Sequence, residues 1–363
     1  MIEQVVIRNY KSIRELSLKL NKINIFIGSN GVGKTNFISF FELVSKLYYQ
    51  RLGSYTLEKG GIDNILYFGR KHSENLYGLL NFDNTNAFFF NIIPSQSNKG
   101  IIDYTGDYYN SRNKENINYN EDWNKRNWDN SVEESDLINR KEWRAQYLKN
   151  YLSSFIVYHF HDTSNSSPMK MLCNISDNIV LKTNGSNIAA YLYFISLKHP
   201  KSFNKIEAVI HSIAPYFERF DLKPDRNNEQ QIKLEWVEKG SDMYMDGHSF
   251  SDGTLRFIAL TTLLLQPNPP KVIIIDEPEL GLHPFAINIV AEMIKSASIE
   301  SQIITSTQST NFVNNFELEN IIVVDREENQ SVFKHLDKEE LNTWLEDYTI
   351  GDIWEKNIIG GQP

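Results

Sequence analysis

The chain contains very little cysteine: Cys173 is the only one in 363 residues. A single cysteine excludes an intramolecular disulfide and argues against a cysteine-based zinc site. The first residues lack the charged and apolar segments of a signal peptide. Apolar runs such as 272–275 are far too short to span a bilayer. We therefore expect a cytoplasmic protein with no membrane association.

An excess of positive charge is also absent. The chain has 46 acidic and 37 basic residues, for a net charge of -9, which argues against a surface coated in positive charge for nonspecific nucleic-acid binding but leaves a local basic groove open. Residues 95–235 show no sustained heptads, which excludes a long coiled coil. Hydrophobic residues make up 41%, enough for a large domain with an insertion or for two domains.

What the sequence does contain is a phosphate-binding loop pattern at residues 28–35, GSNGVGKT. An apolar run at 23–27 predicts a buried strand before it, and apolar residues at helical spacing predict a helix over 36–50. Glycine-rich backbone at a helix N-terminus binds anions. The pattern assigns Lys34 to the β- and γ-phosphates and Thr35 to Mg²⁺. The predicted nucleotide-binding residues of this loop are Asn30, Gly31, Val32, Gly33, Lys34, Thr35 and Asn36.

Polar residues end two further predicted buried strands, 271–276 and 302–307. Asp276 would hold Mg²⁺ through water, and Glu277 would polarise the attacking water. Gln308 would touch the γ-phosphate or that water. Acids at the carboxyl end of a strand lie where α/β folds place ligands. The sequence thus predicts ATP and Mg²⁺ as cofactors and Glu277, Gln308 and Lys34 as catalytic residues.

Two turns are ambiguous from the pattern alone. Ser251, Asp252 and Gly253 precede an apolar helix, which is typical of a second anion site or of an ordinary helix cap. Lys11 lies in a turn between two predicted strands over 2–27, where a solvated hairpin is an equal alternative. Both positions gain a functional interpretation only from the resemblance described below.

Other segments favour structural interpretations. His159, His161 and Asp162 resemble metal ligands, but in a strand the two histidines share one face and lack a third matched donor. Residues 95–135 are rich in Asn after a hairpin predicted over 76–94, and residues 95–100 and 110–130 predict loops or a partly ordered insertion. Aromatic and basic residues are interleaved here, and packing or a partner interface is favoured over nucleic acid; the aromatic members are Trp123, Trp128 and Trp143.

The motifs together resemble the ABC-type ATPases of the SMC, Rad50 and RecF kind. The matching stretches are 7–13, 28–35, 251–254, 276–284 and 307–309. More narrowly, the chain resembles stand-alone AAA ATPases of prokaryotes encoded beside a nuclease or other effector in anti-phage defence and overcoming-lysogenization-defect-like systems. The resemblance runs from end to end and is weakest over 95–150.

This resemblance implies an α/β fold: an ABC ATPase head with a RecA-like parallel core sheet, an antiparallel β subdomain, a helical lobe carrying the signature motif, and a short insertion. It divides the chain into three parts. Residues 1–94 hold the antiparallel subdomain and the phosphate loop, 95–235 the insertion and helical lobe, and 236–363 the signature, the acidic strand end, the switch strand and the tail.

The resemblance also implies how the sites work. Two heads would sandwich two ATP molecules, so that Ser251, Asp252 and Gly253 of one head contact the γ-phosphate held by Lys34 of the other. Lys11 would lie near the phosphates. The expected assembly is an ATP-dependent homodimer or a higher oligomer. Many relatives carry His at the position of Gln308, and since Gln cannot take a proton, slow hydrolysis is expected. A lid-loop glutamine is not identifiable.

Two functions are therefore carried forward. The first is an ATPase sensor or regulator of an effector protein such as a nuclease, in anti-phage defence. The second is a RecF- or Rad50-like DNA-binding ATPase of repair or maintenance, with nucleic acid as partner. No nuclease constellation is visible in the sequence, and the acidic total favours the first. The signature does not resemble that of a transporter energiser.

Overall fold

The structure, a computed structural model, describes residues 1–110, 124–241 and 243–362. The strands are β1 Ile2–Tyr10, β2 Ile13–Lys19, β3 Ile23–Ile27, β4 Leu76–Phe82, β5 Asn86–Pro94, β6 Gly100–Tyr109, β7 Asn124–Val132, β8 Val157–Tyr158, β9 Cys173–Asn174, β10 Phe217–Phe220, β11 Gln231–Ile232, β12 Glu235–Glu238, β13 Tyr244–Asp246, β14 Val272–Asp276, β15 Gln302–Thr307, β16 Ile321–Glu327 and β17 Gln330–His335. The helices are α1 Lys34–Tyr48, α2 Leu52–Glu58, α3 Trp143–Leu152, α4 Ile188–Lys198, α5 Pro200–Ile213, α6 Asp252–Leu264, α7 Pro284–Ala297, α8 Thr310–Val313, α9 Lys338–Leu345 and α10 Ile350–Glu355.

The central element is a six-stranded sheet in the order β17-β16-β3-β15-β14-β8. Its strands are parallel except for β17, which pairs antiparallel with β16. Both faces are covered: Ile273 and Ile275 of β14 face one hydrophobic core, while Val272 and Ile274 face the other. Such two-sided burial explains why the predicted strands are near-continuous apolar runs.

A second, antiparallel sheet has the order β2-β1-β4-β5-β6-β7. It packs over α1, where the rings of Phe40 and Phe90 stack at 5.9 Å. The hairpin predicted over 76–94 is confirmed as β4 and β5. The loop predicted for Asn110 to Asn130 is wrong from residue 124 onward, since β7 lies there, while 111–123 fall outside the described residues. The sheet continues past residue 94, and the three-part division of the chain stays a prediction.

The aromatic and basic residues near β7 are largely engaged in packing. Trp128 is partly buried against the core around Phe88, with ring centroids 6.2 Å apart. Arg144 is buried and forms a 3.0 Å ion pair with Asp107. Trp143 is 59% exposed, and Trp123 lies outside the described residues. Packing therefore accounts for Trp128 and Arg144.

A helical lobe of α4, α5 and α6 covers the other face of the parallel sheet, with the small sheets β10-β12-β13 and β11-β9 beside it. Trp236 and Phe250 stack at 4.6 Å inside it. β11 and β12 are close in sequence but belong to different sheets. α3 begins at Trp143, after a short 3-10 turn at Leu137–Asn139.

The C-terminal tail packs back on the parallel sheet. Trp354 of α10 is fully buried, and its indole N–H donates to the Gly361 carbonyl at 2.5 Å. Between residues 95 and 235, the longest helix that the structure describes is α5, with 14 residues, in agreement with the predicted lack of a coiled coil. Within the described ranges, every helix falls short of the length and apolarity needed to cross a membrane.

Candidate nucleotide site

The phosphate loop connects β3 to α1, with α1 beginning at Lys34. Gly28 and Gly33 have φ angles of 150° and 120°, a region that favours glycine. Space is also restricted: a Cβ at Gly28 would overlap the Val324 carbonyl oxygen, and one at Gly33 would overlap the Ser331 hydroxyl. The sequence therefore folds here into a tight turn directly before α1, and the N-terminus of a helix is a place where backbone N–H groups can bind an anion.

The Lys34 ammonium is held inside this loop. The side chain is 5% exposed and donates to the carbonyls of Gly28 at 2.5 Å and Ser29 at 2.9 Å. Burial lowers the pKa of Lys34, and the nearby carboxylates of Glu277 and Asp276 oppose that shift. The ammonium is thus positioned to exchange loop carbonyls for phosphate oxygens.

The acidic strand ends lie next to the loop. In the parallel register Asp276 pairs with Ser306, and the Ser306 hydroxyl donates to Asp276 Oδ1. The Gln308 amide donates to the Glu277 carboxylate. Glu277 has φ 47°, a left-handed conformation that costs a non-glycine residue about 1 kcal/mol or more. Strain of this kind is common where a side chain is aimed at a reaction.

These groups share one pocket. Its lining residues are Asn30, Gly31, Gly33, Lys34, Thr35, Asn36, Glu277 and Gln308. Val32 is buried, and Asp276 is 9% exposed behind its bond to Ser306. The donor set fits Mg²⁺ and ATP: N–H groups and Lys34 suit phosphates, and the Thr35 hydroxyl and the Asp276 carboxylate suit Mg²⁺.

Lys11 lies outside that pocket lining. Its ammonium donates to Ser39 Oγ on α1 at 2.7 Å, and burial lowers its pKa to about 8. The next residue does contact the loop: the Ser12 hydroxyl accepts from the Asn36 amide at 2.7 Å and shares a 2.6 Å hydrogen bond with Ser331. The turn therefore braces the start of α1, and phosphate contact by Lys11 stays a prediction.

The signature residues line a separate cleft. Ser251 caps α6, with the Thr254 N–H donating to its hydroxyl at 3.2 Å, so the ordinary cap is present. Asp252 is exposed in the first turn. The cleft is lined by Ser212, Ile213, Ser251, Gly253, Thr254, Gly281, Leu282, His283, Phe285 and Ala286. It shares no lining residue with the phosphate-loop pocket.

Two buried charged residues were missed by the sequence analysis. Arg256 of α6 donates to the carbonyls of Phe160 and His161, each at 3.0 Å, and to the carbonyl of Leu280. It therefore ties the signature helix to the end of β8 and to the turn after β14. The position of Arg256 shortly after the signature was the only sign of its role in the sequence. Its hydrogen-bond acceptors are backbone carbonyls, which no sequence motif identifies.

Glu279 is the second. Its Oε1 accepts from the Thr307 hydroxyl at 2.6 Å and from the Gln308 N–H at 3.1 Å. Burial raises the pKa of Glu279, and Oε2 has no hydrogen-bond partner among the described residues. Glu279 thus fixes the backbone of the switch strand end while carrying an unsatisfied carboxylate oxygen.

The expectation that His159 and His161 lack a third donor is wrong. Asp276 supplies one: the ligand atoms of the three side chains lie within 4.8 Å of one another. Asp162 points away, since its carboxylate accepts from the N–H and hydroxyl of Ser164. Burial lowers the pKa of His161. Asp276 is far from the two histidines in sequence, so only the pairing of β8 with β14 shows that the three side chains meet.

The fold and this site together define an ATPase head of the P-loop class. Residues 23–314 match the family described as "AAA domain, putative AbiEii toxin, Type IV TA system". The chain belongs to this family. Comparison with curated proteins gives no match.

Solved structures extend the fold assignment. An SMC head bound to the C-winged-helix domain of ScpA is 14% identical, with a TM-score of 0.59, covering 94% of this chain and 99% of the other. An Smc head with an extended coiled coil, bound to the C-terminal domain of ScpA derived from Pyrococcus furiosus, is 15% identical, with a TM-score of 0.52, covering 95% and 98%. The predicted ATPase-head fold is confirmed.

Proposed function

We propose that this chain is an ATP-hydrolysing switch that pairs head to head on ATP and regulates an effector protein, a nuclease, in anti-phage defence. The observation that carries the pairing is the separation of two clefts. Lys34 and Glu277 line one, whereas Ser251 and Gly253 line the other. A second copy, turned to face the first, would bring its signature to the nucleotide held by Lys34.

Each residue of the pocket has a proposed task. Lys34 and the loop N–H groups bind phosphates, while Thr35 and Asp276 hold Mg²⁺, which neutralises phosphate charge. Glu277 polarises the attacking water, and Gln308 positions the Glu277 carboxylate through its amide. An amide cannot take up a proton, so we expect slow turnover. Slow turnover suits a sensor that must hold its ATP-bound state.

The regulatory role has two supports. The matching family is described by an AbiEii toxin and a type IV toxin–antitoxin system, and both similar SMC heads are bound to a domain of a protein partner. A net charge of -9 also favours a protein partner over a nucleic-acid coating. We infer that the effector docks on the head and responds to its opening and closing.

A second candidate, DNA binding of the RecF kind, is favoured by one surface. Lys125 on the outer antiparallel sheet lies over aromatic rings, with its ammonium 5.1 Å from the centroid of Phe89 and 5.6 Å from that of Tyr104. Basic side chains beside aromatic rings are a feature of nucleic-acid surfaces, although Phe89 itself is buried. Binding of labelled duplex DNA to the ATP-bound protein would favour this candidate.

Light scattering of Glu277→Gln with and without ATP and Mg²⁺ tests the switch. The variant should bind ATP but not hydrolyse it, and its mass should double when ATP is added. The matched control is Lys34→Ala combined with Glu277→Gln, which should stay at its nucleotide-free mass because it cannot hold ATP. A mass of Glu277→Gln that ATP does not change would contradict ATP-driven pairing.

A further inference from the structure

The end of β8 carries two histidines beside the acidic end of β14. The parallel register pairs Val157 with Ile274 and Tyr158 with Ile275, so the next residues, His159 and Asp276, are neighbours across the sheet edge. His159 Nδ1 is 4.0 Å from Asp276 Oδ2. His161 follows two residues later, and the ring centroids of His159 and His161 are 5.9 Å apart.

The donors of this cluster are free to bind. His161 Nδ1 is buried and has no hydrogen-bond partner in the described part of the chain, which is rare for a buried nitrogen. Asp276 uses Oδ1 to accept from Ser306, so Oδ2 faces the histidines. Arg256 fixes the backbone by binding the Phe160 and His161 carbonyls. The backbone that carries His161 is therefore held in place, while the His159 side chain lies partly at the surface.

We propose that His159, His161 and Asp276 form a site for a divalent first-row transition-metal ion, with Zn²⁺ as the representative. Two imidazoles and one carboxylate suit Zn²⁺, Co²⁺ or Ni²⁺, whereas Mg²⁺ prefers oxygen ligands alone. Metal–nitrogen bonds of about 2.0–2.1 Å place donors roughly 3–3.5 Å apart. The present spread of up to 4.8 Å needs only a side-chain rotation, and His159, 44% exposed, has room for it.

The proposed metal site adds a function to the ATPase switch, because Asp276 belongs both to this site and to the proposed Mg²⁺ site. A transition metal bound through Oδ2 would draw on the same carboxylate that is proposed to hold Mg²⁺. The ion and Mg²⁺·ATP therefore compete for Asp276, and micromolar transition metal would act as an inhibitor of the head. Metal binding itself requires no nucleotide, so the proposed metal site can be tested independently of ATP hydrolysis.

The test is a titration of the nucleotide-free full chain with Co²⁺, followed by visible absorption, and with Zn²⁺, followed by calorimetry. Wild type should bind one ion, and Zn²⁺ should displace Co²⁺. His159→Gln and His161→Gln should each weaken binding at least roughly tenfold, since losing even a group that only orients a ligand costs that much. The matched control, His248→Gln, removes an exposed histidine outside the cluster and should bind as wild type does.

Three results would overturn the site: equal Zn²⁺ affinity in His159→Gln and wild type, displacement of Co²⁺ by an equal concentration of Mg²⁺, or no Co²⁺ band in wild type. His159 is half-exposed, so its variant should fold, which circular dichroism checks. If His161→Gln fails to fold, the His159→Gln result alone decides. ATP-driven pairing of Glu277→Gln is unaffected by any of these outcomes.

Discussion

The amide of Gln308 donates a hydrogen bond to the carboxylate of Glu277, joining the end of β15 to the residue that follows β14. Both side chains line the phosphate-loop pocket. Glu277 is held there in a left-handed backbone conformation. Glu277, the proposed base, is thus held by its backbone conformation and by a hydrogen bond from the uncharged Gln308 amide.

Removing that donor should slow hydrolysis more than it weakens ATP binding. We expect Gln308→Ala to lower kcat roughly 10- to 100-fold and to change KM little, because the loss concerns orientation in the transition state. Steady-state ATPase measurements check this. Gln146→Ala, the same change on an exposed position of α3, is the matched control. An unchanged kcat in Gln308→Ala would remove Gln308 from the mechanism.

Lys34→Ala should abolish ATP binding. Two charge-assisted bonds to phosphate are lost, each worth roughly 1.5–3 kcal/mol, so affinity should fall about 100-fold or more. Binding of a fluorescent ATP analogue measures the loss. Lys46→Ala, in the last turn of the same helix, controls for changes in α1. Retention of both binding and hydrolysis by Lys34→Ala would refute the site assignment.

Glu279 should destabilise the head at neutral pH. Its folded pKa is raised, so its contribution to stability is complete below the unfolded pKa near 4.5 and is lost as pH rises through the folded pKa. Glu279→Gln keeps the Oε1 acceptor for Thr307 and Gln308. We expect it to raise the free energy of unfolding at pH 7.5 by roughly 1 kcal/mol, with a smaller gain near pH 4.5.

Urea unfolding at the two pH values measures this difference, with the exposed Glu300→Gln as control. A Glu279→Gln protein that is less stable than wild type at pH 7.5, or a gain that grows toward low pH, would contradict the assignment of a buried, unsatisfied carboxylate.

The predicted contact between Lys11 and phosphate can be tested by measuring proton uptake when ATP binds. Its pKa of about 8 means that much of the side chain is neutral at pH 8.5, and nearby phosphate would raise that pKa. ATP binding at pH 8.5 should therefore take up part of a proton per site, measured by calorimetry in two buffers of different ionisation enthalpy. Lys11→Gln should bind ATP without this uptake. Equal uptake in both proteins would place Lys11 away from the phosphates.

That the phosphate loop and the acidic strand end line one pocket was largely predictable because the signals are local. The strand before residue 28, the glycines and the helix after them lie within some twenty-five residues, and the acids end their own strand. The missed strands β6 and β7 show the limit. Thr105 and Asp129 are buried partners across these strands, and Ser135 donates to Asp129 at 2.7 Å. Polar pairs that satisfy each other inside a sheet erase the hydrophobic alternation on which strand prediction depends.

The cluster of His159, His161 and Asp276 shows a different limit. His159 and His161 were recognised as ligand types, but their third donor comes from a strand more than a hundred residues away. The side-by-side register of β8 and β14 brings Asp276 to them, and a register between distant parallel strands cannot be inferred from one sequence. For the same reason the backbone carbonyls that accept hydrogen bonds from Arg256 could not be predicted from the sequence.

The three carbonyls bound by Arg256 have a thermodynamic consequence. Through them Arg256 links the helix that begins at the signature to the segment after β8, which holds His161, and to the turn after β14. Coupling between binding sites is reciprocal. Suppose that a protein binds the signature helix and changes the affinity for ATP by some factor. ATP must then change the affinity for that protein by the same factor. In the proposed switch, the Arg256 guanidinium would be one contact through which the binding of nucleotide and the binding of a partner are linked.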